Sequence, residues 1–405
     1  MTAFTMERAR ESIRELFLAA EDESRRKSKA IGAELEMIPV CARTGQRVLA
    51  QTGTPSGTAL ARAIADDFGW TEEEMGSDPS CWNFPEGRLT FEPGGQIELS
   101  SAVFSSASQL IDSMQRWTAA LGSVATRHGV ELLTRGIDAR NPIDRVPLQL
   151  HRERYEAMTR YFESIGPYGV VMMRQTASLQ INVDRGENPP DRWRLLNALA
   201  PYLVAIFANS PRYEAAPTGH KSYRAHVWRN LDPHRTGLPY GDDVVQHYMD
   251  FALDAPVILD REDRHSSFRA LIADGSASEE MWEVHLSTLF PEIRPREYFE
   301  IRSLDANSPN HLPAAICLVA GIVYVEEFAF AAARLLGTPD PGLLSRAGET
   351  GLTDPHLRKM AIRLVELALG GCAALGQAYL APSHIESAKL FFERYTLRGC
   401  SPADG

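Results

Sequence analysis

Apolar and polar residues alternate in four short segments of the chain. They are residues 32–37, 95–100, 178–184 and 298–302. Because residues i and i+2 share one face of a β-strand, this alternation predicts four half-buried strands. The pairs predicted to share a polar face are Glu34 with Glu36, Gln96 with Glu98, Gln180 with Asn182, and Glu300 with Arg302; Leu35, Ile97, Ile181 and Ile301 are predicted on the opposite, apolar face.

The polar faces predict a site if the four strands pair in one antiparallel sheet. Carboxylates crowded on one face repel one another unless cations lie among them. Oxygen ligands select hard cations, and a wet site suits Mg²⁺ bound together with a substrate phosphate. The alternative is an ordinary solvated face, which a single Glu-x-Glu usually marks. The four pairs include no Lys and one basic residue, Arg302, and this composition favours a site.

The remaining periodicity predicts helices around that sheet. Helices are predicted at about residues 5–26, 55–68, 108–128, 147–162, 191–208, 242–253, 279–289, 312–336, 355–375 and 383–396. Strands are predicted at about 30–40 and 296–303, a hairpin at 88–100 with its turn at 93–95, extended chain at 168–184, and a long ordered loop at 210–240. Strands lie mainly in the first half of the chain and helices fill its C-terminal part, and this order predicts an α+β fold with an antiparallel sheet. We expect one domain over residues 1–405, helical from about 312 to 405.

Composition excludes several classes of protein. A net charge of −11 argues against a nucleic-acid partner, which requires a basic surface. The N-terminus lacks the apolar run of a signal peptide. The apolar run at residues 312–325 is too short to cross a bilayer, so this run predicts a buried core helix. Five scattered cysteines with no C-x-x-C spacing indicate neither a zinc site nor a disulfide framework. We therefore expect a cytoplasmic protein without a membrane partner.

A basic segment supplies possible anion contacts. Six basic residues fall within fifteen positions: Lys221, Arg224, His226, Arg229, His234 and Arg235. Guanidinium groups bind phosphate and carboxylate oxygens through paired hydrogen bonds, although the segment could equally be a solvated surface patch. Phosphate-loop, dinucleotide and nucleophile-elbow motifs are missing from the sequence. Paired carboxylates could serve glycoside hydrolysis, which needs only two. Four or more carboxylates at one site fit metal-assisted phosphoryl transfer better.

Several segments resemble one family. Residues 91–100, Phe-Glu-Pro-Gly-Gly-Gln-Ile-Glu-Leu-Ser, resemble the signature of plant-type glutamate–cysteine ligases and their bacterial relatives. Residues 172–184, 206–211, 223–228, 232–237 and 298–305 are similar to further segments of that family, in the same order. The resemblance implies a curved antiparallel sheet shaped like a funnel, related to glutamine synthetase, with helices packed outside. It also implies ATP as co-substrate and two or three Mg²⁺.

The resemblance assigns roles to individual residues. It implies metal ligation by Glu34, Glu36, Glu92, Glu98 and Glu300, and also by Gln180, which stands where another branch carries a metal-binding His. Arg302 matches the arginine that contacts the transferred phosphoryl group, and with Glu300 it is the predicted catalytic pair. Substrate or nucleotide contacts are expected from Arg224, Arg235, Gln96 and Asn182.

The implied reaction joins the γ-carboxylate of glutamate to the amine of cysteine through γ-glutamyl phosphate, giving γ-glutamylcysteine. Three alternatives stay open at this point. The acceptor could be another amine, the product could serve ergothioneine rather than glutathione, or the chain could be a catalytically dead homologue that binds or regulates. The intact acidic set and Arg302 argue against the last. Glutamate, cysteine and ATP are the expected partners of a monomer or homodimer.

Overall fold

A nine-stranded antiparallel sheet forms the centre of the fold in this computed structural model, which describes residues 4–18, 28–259 and 265–405. The strands are β1 (Ile31–Cys41), β2 (Thr71–Met75), β3 (Asp78–Phe84), β4 (Gly87–Phe91), β5 (Ile97–Ser101), β6 (Val130–Leu133), β7 (Ser178–Asp184), β8 (Arg212–Tyr213), β9 (Ala216–Pro217), β10 (Ile293–Pro295) and β11 (Tyr298–Asp305). The spatial order is β10-β11-β7-β1-β5-β4-β3-β2, β6 pairs with β1, and β8 pairs with β9 apart from this sheet.

The register of the sheet places the predicted polar residues on one face. Glu36 of β1 lies opposite Glu98 of β5, and Glu34 lies opposite Gln180 of β7. Farther along β7, Asn182 lies opposite Glu300 of β11. The four predicted strands therefore do join one antiparallel sheet, as the alternation required.

The opposite face of the sheet is apolar and buried. Leu35 pairs with Leu99 on one side, and Ile181 pairs with Ile301 on the other. All four side chains are at most 3% exposed. The predicted division into an apolar back and a polar front is thus confirmed.

The turn between β4 and β5 depends on its two glycines. Gly95 has φ +77, a conformation that side chains disfavour. A Cβ on Gly94 would lie 2.0 Å from the carbonyl oxygen of Arg174, so only glycine permits this close approach. The turn therefore fixes Glu92, at the end of β4, next to the strand that carries Glu98.

Helices cover the apolar face and both ends of the sheet. They are α1 (Met6–Leu16), α2 (Gly57–Phe68), α3 (Ala107–Arg127), α4 (Glu153–Ile165), α5 (Tyr168–Gln175), α6 (Pro189–Ile206), α7 (Tyr223–Arg229), α8 (Pro233–Thr236), α9 (Val244–Asp254), α10 (Phe268–Ala273), α11 (Glu279–Leu286), α12 (Leu312–Val323), α13 (Glu326–Leu336), α14 (Pro341–Thr350), α15 (Pro355–Leu375) and α16 (Pro382–Arg394). Residues from most of these helices share one hydrophobic core, and a second apolar cluster joins α4, α5 and α7. The single domain over residues 1–405 stays a prediction.

The apolar run near residue 312 forms a core helix, as expected. Every residue of α12 is buried. No single helix of the described ranges is long and apolar enough to cross a membrane; Pro309–Val323 and Glu326–Leu336 reach that length and composition only as a pair, bent by 95°. The predicted single helix at 312–336 is therefore wrong, because the chain turns sharply between α12 and α13.

Other differences from the predicted elements have local causes. Residues 168–175 form α5 rather than extended chain, because an apolar run buried on all sides does not distinguish helix from strand. The predicted loop at 210–240 contains α7 and α8, and the predicted helix at 147–162 begins only at Glu153. The β2–β3 hairpin was not predicted, since Thr71–Met75 carries three successive glutamates. The predicted extension of the first helix to residue 26 falls partly outside the described residues.

Replacing Ile301 tests the facing of β11. Ile301 is fully buried opposite Ile181 and Ile293, so Ile301→Ala should leave a cavity and lower the free energy of unfolding by about 2–4 kcal/mol. Urea denaturation would measure this. Val103→Ala is the control, because Val103 is 78% exposed and should change stability by less than about 0.5 kcal/mol. Equal effects of the two changes would contradict the assigned facing.

Candidate active site

Four glutamates form a carboxylate cluster on the polar face of the sheet: Glu34, Glu36, Glu92 and Glu98. Glu98 is buried, and the other three are half-buried. Burial raises the pKa of Glu98 well above its usual value, and repulsion by the other three raises it further. The pKa of Glu92 is raised to about 8, chiefly by burial and then by the charge of Glu36. Burial also raises the pKa values of Glu34 and Glu36. The cluster therefore cannot hold four negative charges without a compensating cation.

Neutral groups provide most of the hydrogen bonds to this cluster. Glu36 accepts from the backbone N–H of Ser178 at 2.8 Å and from its hydroxyl at 2.9 Å. The hydroxyls of Thr90 and Ser100 donate to Glu98 at 3.1 and 2.7 Å. These donors orient the carboxylates but bring no positive charge to them.

Glu300 differs from the cluster because arginines surround it. Its Oε2 lies 3.2 Å from Arg294, 3.3 Å from Arg302 and 3.8 Å from Arg296. Burial alone would raise the pKa of Glu300, but the three guanidinium groups outweigh burial and lower it. Glu300 therefore stays ionised and holds basic side chains beside the carboxylates.

Arg302 joins the arginine group to the carboxylate cluster. It donates to Oε1 of Gln180 at 2.9 Å, and the amide nitrogen of Gln180 donates to Glu36 at 3.2 Å. The charges of Glu300 and Glu36 outweigh burial and raise the pKa of Arg302. The predicted alternation thus does bring Arg302 to the site face. The same contact uses one of the two lone pairs of the Gln180 oxygen that a metal would coordinate.

Asn182 offers a free acceptor at the same face. Its amide nitrogen donates to Glu34 at 2.9 Å. Its Oδ1 is buried and hydrogen-bonds to none of the described residues. An unpaired buried oxygen beside carboxylates suits a cation or an N–H group of a substrate.

Arg224 reaches the site from α7. It donates to the backbone oxygen of Arg302 at 2.8 Å and lies 3.9 Å from the buried carboxylate of Asp305. Trp228, one turn later on α7, has its ring within 5.6 Å of both Arg224 and Arg302. Burial lowers the pKa of Arg224, while Asp305 and Glu36 favour its charged form. The structure therefore places Arg224 where sequence reasoning expected it.

Two predicted binding residues lie elsewhere. Arg235 is fully buried, and its guanidinium contacts Asp232, Thr288 and Pro256, and none of the cluster carboxylates within the described ranges. Gln96 lies in the turn before β5, where it accepts from the N–H of Gly94 and donates to the oxygen of Thr176. Both side chains are used by the fold, so we assign neither a contact with substrate.

Sequence reasoning missed three residues at this site. Arg294 contacts Glu300 from β10, a three-residue strand with no alternation to reveal it. Trp228 was seen only as part of a family segment. Tyr155 faces the cluster from α4: its pKa is raised to about 12 by burial and by the charge of Glu92.

Comparisons with known proteins identify the family of this chain. The model of the glutamate–cysteine ligase family 2 matches residues 30–353, well over half of the chain. The chain belongs to this family. A glutamate–cysteine ligase named EgtA from Mycolicibacterium smegmatis is 33% identical over 78% of this chain and 76% of that enzyme. The chloroplastic glutamate–cysteine ligase of Arabidopsis thaliana is 29% identical over 78% of this chain and 66% of that enzyme.

Family membership confirms the resemblance seen in the sequence and, with it, the predicted enzyme class, a glutamate–cysteine ligase. The match to EgtA is compatible with either predicted use of the product, glutathione or ergothioneine. Among solved structures, the glutamate–cysteine ligase of Francisella tularensis in complex with AMP gives a TM-score of 0.54 at 13% identity, over 93% of this chain and 83% of that one. That likeness confirms the predicted fold class.

The carboxylate cluster of this ligase family member fits divalent cations by its chemistry. It offers acidic oxygens with raised pKa values and the unpaired Oδ1 of Asn182, and hard cations prefer oxygen ligands. In the described ranges, no three acidic, histidine or cysteine side chains already lie at metal-binding separations. The hydrogen bonds from neutral donors hold the carboxylates, and a cation would replace some of them.

The raised pKa of Glu92 predicts a pH-dependent stability without metal. Its pKa is about 8 in the folded protein and 4.5 ordinarily, so protonation stabilises the fold fully below about pH 4.5, and this stabilisation is lost as pH rises to about 8. Glu92→Gln should remove a slope of up to about 1.4 kcal/mol per pH unit. Urea denaturation in EDTA from pH 5 to 8.5 would measure it. Glu74→Gln, on an exposed strand position, should leave the slope unchanged; parallel curves for the wild type and Glu92→Gln would contradict the prediction.

Proposed function

We propose that this protein joins the γ-carboxylate of L-glutamate to the amine of L-cysteine at the expense of ATP. A glutamate carboxylate oxygen attacks the γ-phosphorus of ATP, giving γ-glutamyl phosphate and ADP. The amine of cysteine then attacks the γ-carbonyl carbon; inorganic phosphate leaves, the amine loses a proton, and γ-glutamylcysteine forms. The observation that carries this proposal is the carboxylate cluster on the polar face of the sheet, joined through Gln180 to Arg302.

Mg²⁺ would be held by Glu34, Glu36, Glu92 and Glu98, with Glu300 at the border of the site. When bound, two or three Mg²⁺ would supply charge neutralisation and Lewis acidity to the phosphates of ATP. The four cluster carboxylates are suited to this role. Their raised pKa values show that the surrounding side chains do not neutralise their negative charge. Glu300 already has three arginines around it, so we propose that it chiefly positions Arg302.

Arg302 and Arg224 would bind and orient the anionic reactants. Arg302 lies between Glu300 and Gln180 at the border of the cluster, so its charge can stabilise the phosphoryl group in transfer. Arg224 is anchored by Asp305 and by the backbone of Arg302, and it suits a substrate carboxylate. Asn182 adds a free oxygen beside Glu34 that can accept a hydrogen bond from glutamate.

The relatives that match carry the same activity in their names, and the Francisella enzyme was solved with AMP. These names support ATP as co-substrate and cysteine as acceptor. The cytoplasmic location and the monomeric or homodimeric state stay predictions.

A coupled assay of ADP release tests the reaction and the acceptor together. With Mg²⁺, ATP and glutamate, we expect ADP release to require cysteine and γ-glutamylcysteine to appear in equal amount. A panel of other amines is the control for acceptor identity, and EDTA is the control for the metal. ADP release that another amine supports better than cysteine would contradict the acceptor, and turnover in EDTA would contradict the metal site.

A further inference from the structure

Helix α13 exposes a large apolar side chain. Eight of its eleven residues are apolar, yet Ala332 alone is buried among these residues, all of which the structure describes. Phe330 is 64% exposed, and it lies two residues from Ala332, about 200° round the helix axis. Its ring therefore points away from the core. Phe68, which is 52% exposed, packs its ring against Trp117 at 5.3 Å, whereas the ring of Phe330 packs against no other aromatic ring of the described ranges.

The apolar surface around Phe330 continues along the helix. Ala333, one turn later, is also exposed, and Ala329 and Leu336 are half-buried beside it. Because residues three or four apart are neighbours on a helix surface, these four side chains form one apolar stripe. A single exposed apolar side chain is normal on a protein surface, whereas a contiguous stripe indicates an interaction surface.

Charged residues mark both ends of this stripe. Glu326 and Glu327 stand in the first turn of α13, and Arg334 stands in its last turn. None of the three makes an ion pair or a side-chain hydrogen bond with the residues that the structure describes. The guanidinium carbon of Arg334 lies 5.8 Å from the centroid of the Phe330 ring. Glu326, Phe330 and Arg334 are each four residues apart, so they follow one another on a single face of the helix.

This order of charges is complementary to itself when a second copy of α13 lies antiparallel. Phe330 stands midway between Glu326 and Arg334, about 6 Å along the axis from each. A two-fold axis through Phe330 then brings Glu326 of one protomer opposite Arg334 of its partner, and the same contact occurs twice. The helix dipoles also oppose each other in this arrangement. In a parallel pair, by contrast, like charges would lie side by side.

We propose that α13 is the contact surface of a homodimer, in which two copies of this chain pair antiparallel about Phe330. A lipid surface fits less well, because the net charge of −11 opposes an anionic membrane and lipid tails leave Glu326 and Arg334 without partners. One helix face is smaller than the interfaces of permanent dimers, which bury about 2,000 Å² or more. The dimer is therefore reversible, with a Kd on the order of 10 µM, and it does not rest on the proposed function.

Sedimentation velocity of the full chain over a range of concentrations tests the dimer. At about 0.15 M salt, where long-range repulsion is screened, we expect the wild type to pass from monomer to dimer near the Kd. Phe330→Ala should weaken association at least about tenfold, because two rings are lost from the centre of the contact. Leu390→Ala is the matched control, since Leu390 is 67% exposed on α16 and should leave association unchanged. Thermal unfolding should be the same for both variants and the wild type, because both positions are exposed.

Charge reversal tests the antiparallel arrangement. Glu326→Arg and Arg334→Glu each place like charges opposite one another twice, so each should weaken self-association at least about fivefold. Mixed in equal amounts, the two variants should associate within about threefold of the wild-type affinity. The reason is that each chain then offers the charge that the other lacks. An effect of either change on the helix of its own chain could not be restored by mixing.

Three results would overturn the proposal. They are a wild type that stays monomeric at about ten times the expected Kd, a dimer that Phe330→Ala leaves intact, and a mixture of the charge variants that associates no better than either variant alone. A monomeric wild type that binds phosphatidylcholine vesicles through Phe330 would also overturn it, because the surface would then belong to lipid.

Discussion

Arg302→Ala should lower kcat by about a hundredfold or more while ATP and glutamate still bind. Arg302 lies at the border of the carboxylate cluster, bound to Gln180 and paired with Glu300. Charge that develops on the phosphoryl group during transfer would be stabilised by this guanidinium mainly in the transition state, so its loss appears in kcat. The magnitude is that of removing one preorganised electrostatic contact. Steady-state kinetics of ADP release, with binding measured separately by calorimetry, would check it.

Arg296→Ala is the matched control for this prediction. Arg296 approaches the same oxygen of Glu300, at 3.8 Å, but its side chain is 44% exposed. Its loss should therefore leave kcat within about threefold, as for an exposed ion pair. Arg294 still pairs with Glu300 in both variants, so neither change leaves the buried carboxylate alone. Equal losses of turnover in the two variants would show that the arginines act only by holding Glu300.

The polar face of the sheet could be predicted from the sequence because strand alternation is a local property. Glu34, Glu36 and Glu98 share the face that their spacing required, and Leu35 and Ile301 lie on the other. Local spacing does not give the partner of each strand or the register between them. The alignment of Glu36 with Glu98, which makes the cluster, became visible only in the structure.

Basic residues were harder to assign, because a guanidinium in sequence does not show what it will contact. Arg224 and Arg235 lie in one basic segment, yet the first reaches the site and the second is buried against Thr288 and Asp232. Arg294 gave no signal, since a three-residue strand cannot show alternation. The sequence did not reveal that the amide of Gln96 bonds within the turn before β5, because that contact depends on how the turn folds.

Glu98→Gln should make the metal-free protein more stable and remove its response to Mg²⁺ with ATP. Glu98 is 8% exposed, and repulsion by Glu34, Glu92 and Glu36 opposes its charge. A neutral amide removes that repulsion and can still bond to the hydroxyls of Thr90 and Ser100. We expect the free energy of unfolding in EDTA at pH 8 to rise by about 1 kcal/mol, as replacing a strained buried charge often does.

The loss of a cation ligand should have the opposite effect when Mg²⁺ and ATP are present. A ligand at a hundred times its Kd stabilises the wild type by about 2.7 kcal/mol, and Glu98→Gln should abolish most of that gain. The same change should lower kcat/KM at least a hundredfold, which is more than the loss of a residue that only supports a metal ligand usually costs. Thermal unfolding with and without Mg²⁺ and ATP measures the first effect, and ADP release measures the second. Glu74→Gln, at an exposed position of β2, should change neither. If Glu98 had only a structural role, its replacement would destabilise the protein in EDTA. A Glu98→Gln protein that is less stable in EDTA and still responds to Mg²⁺ would therefore refute a metal role for this glutamate.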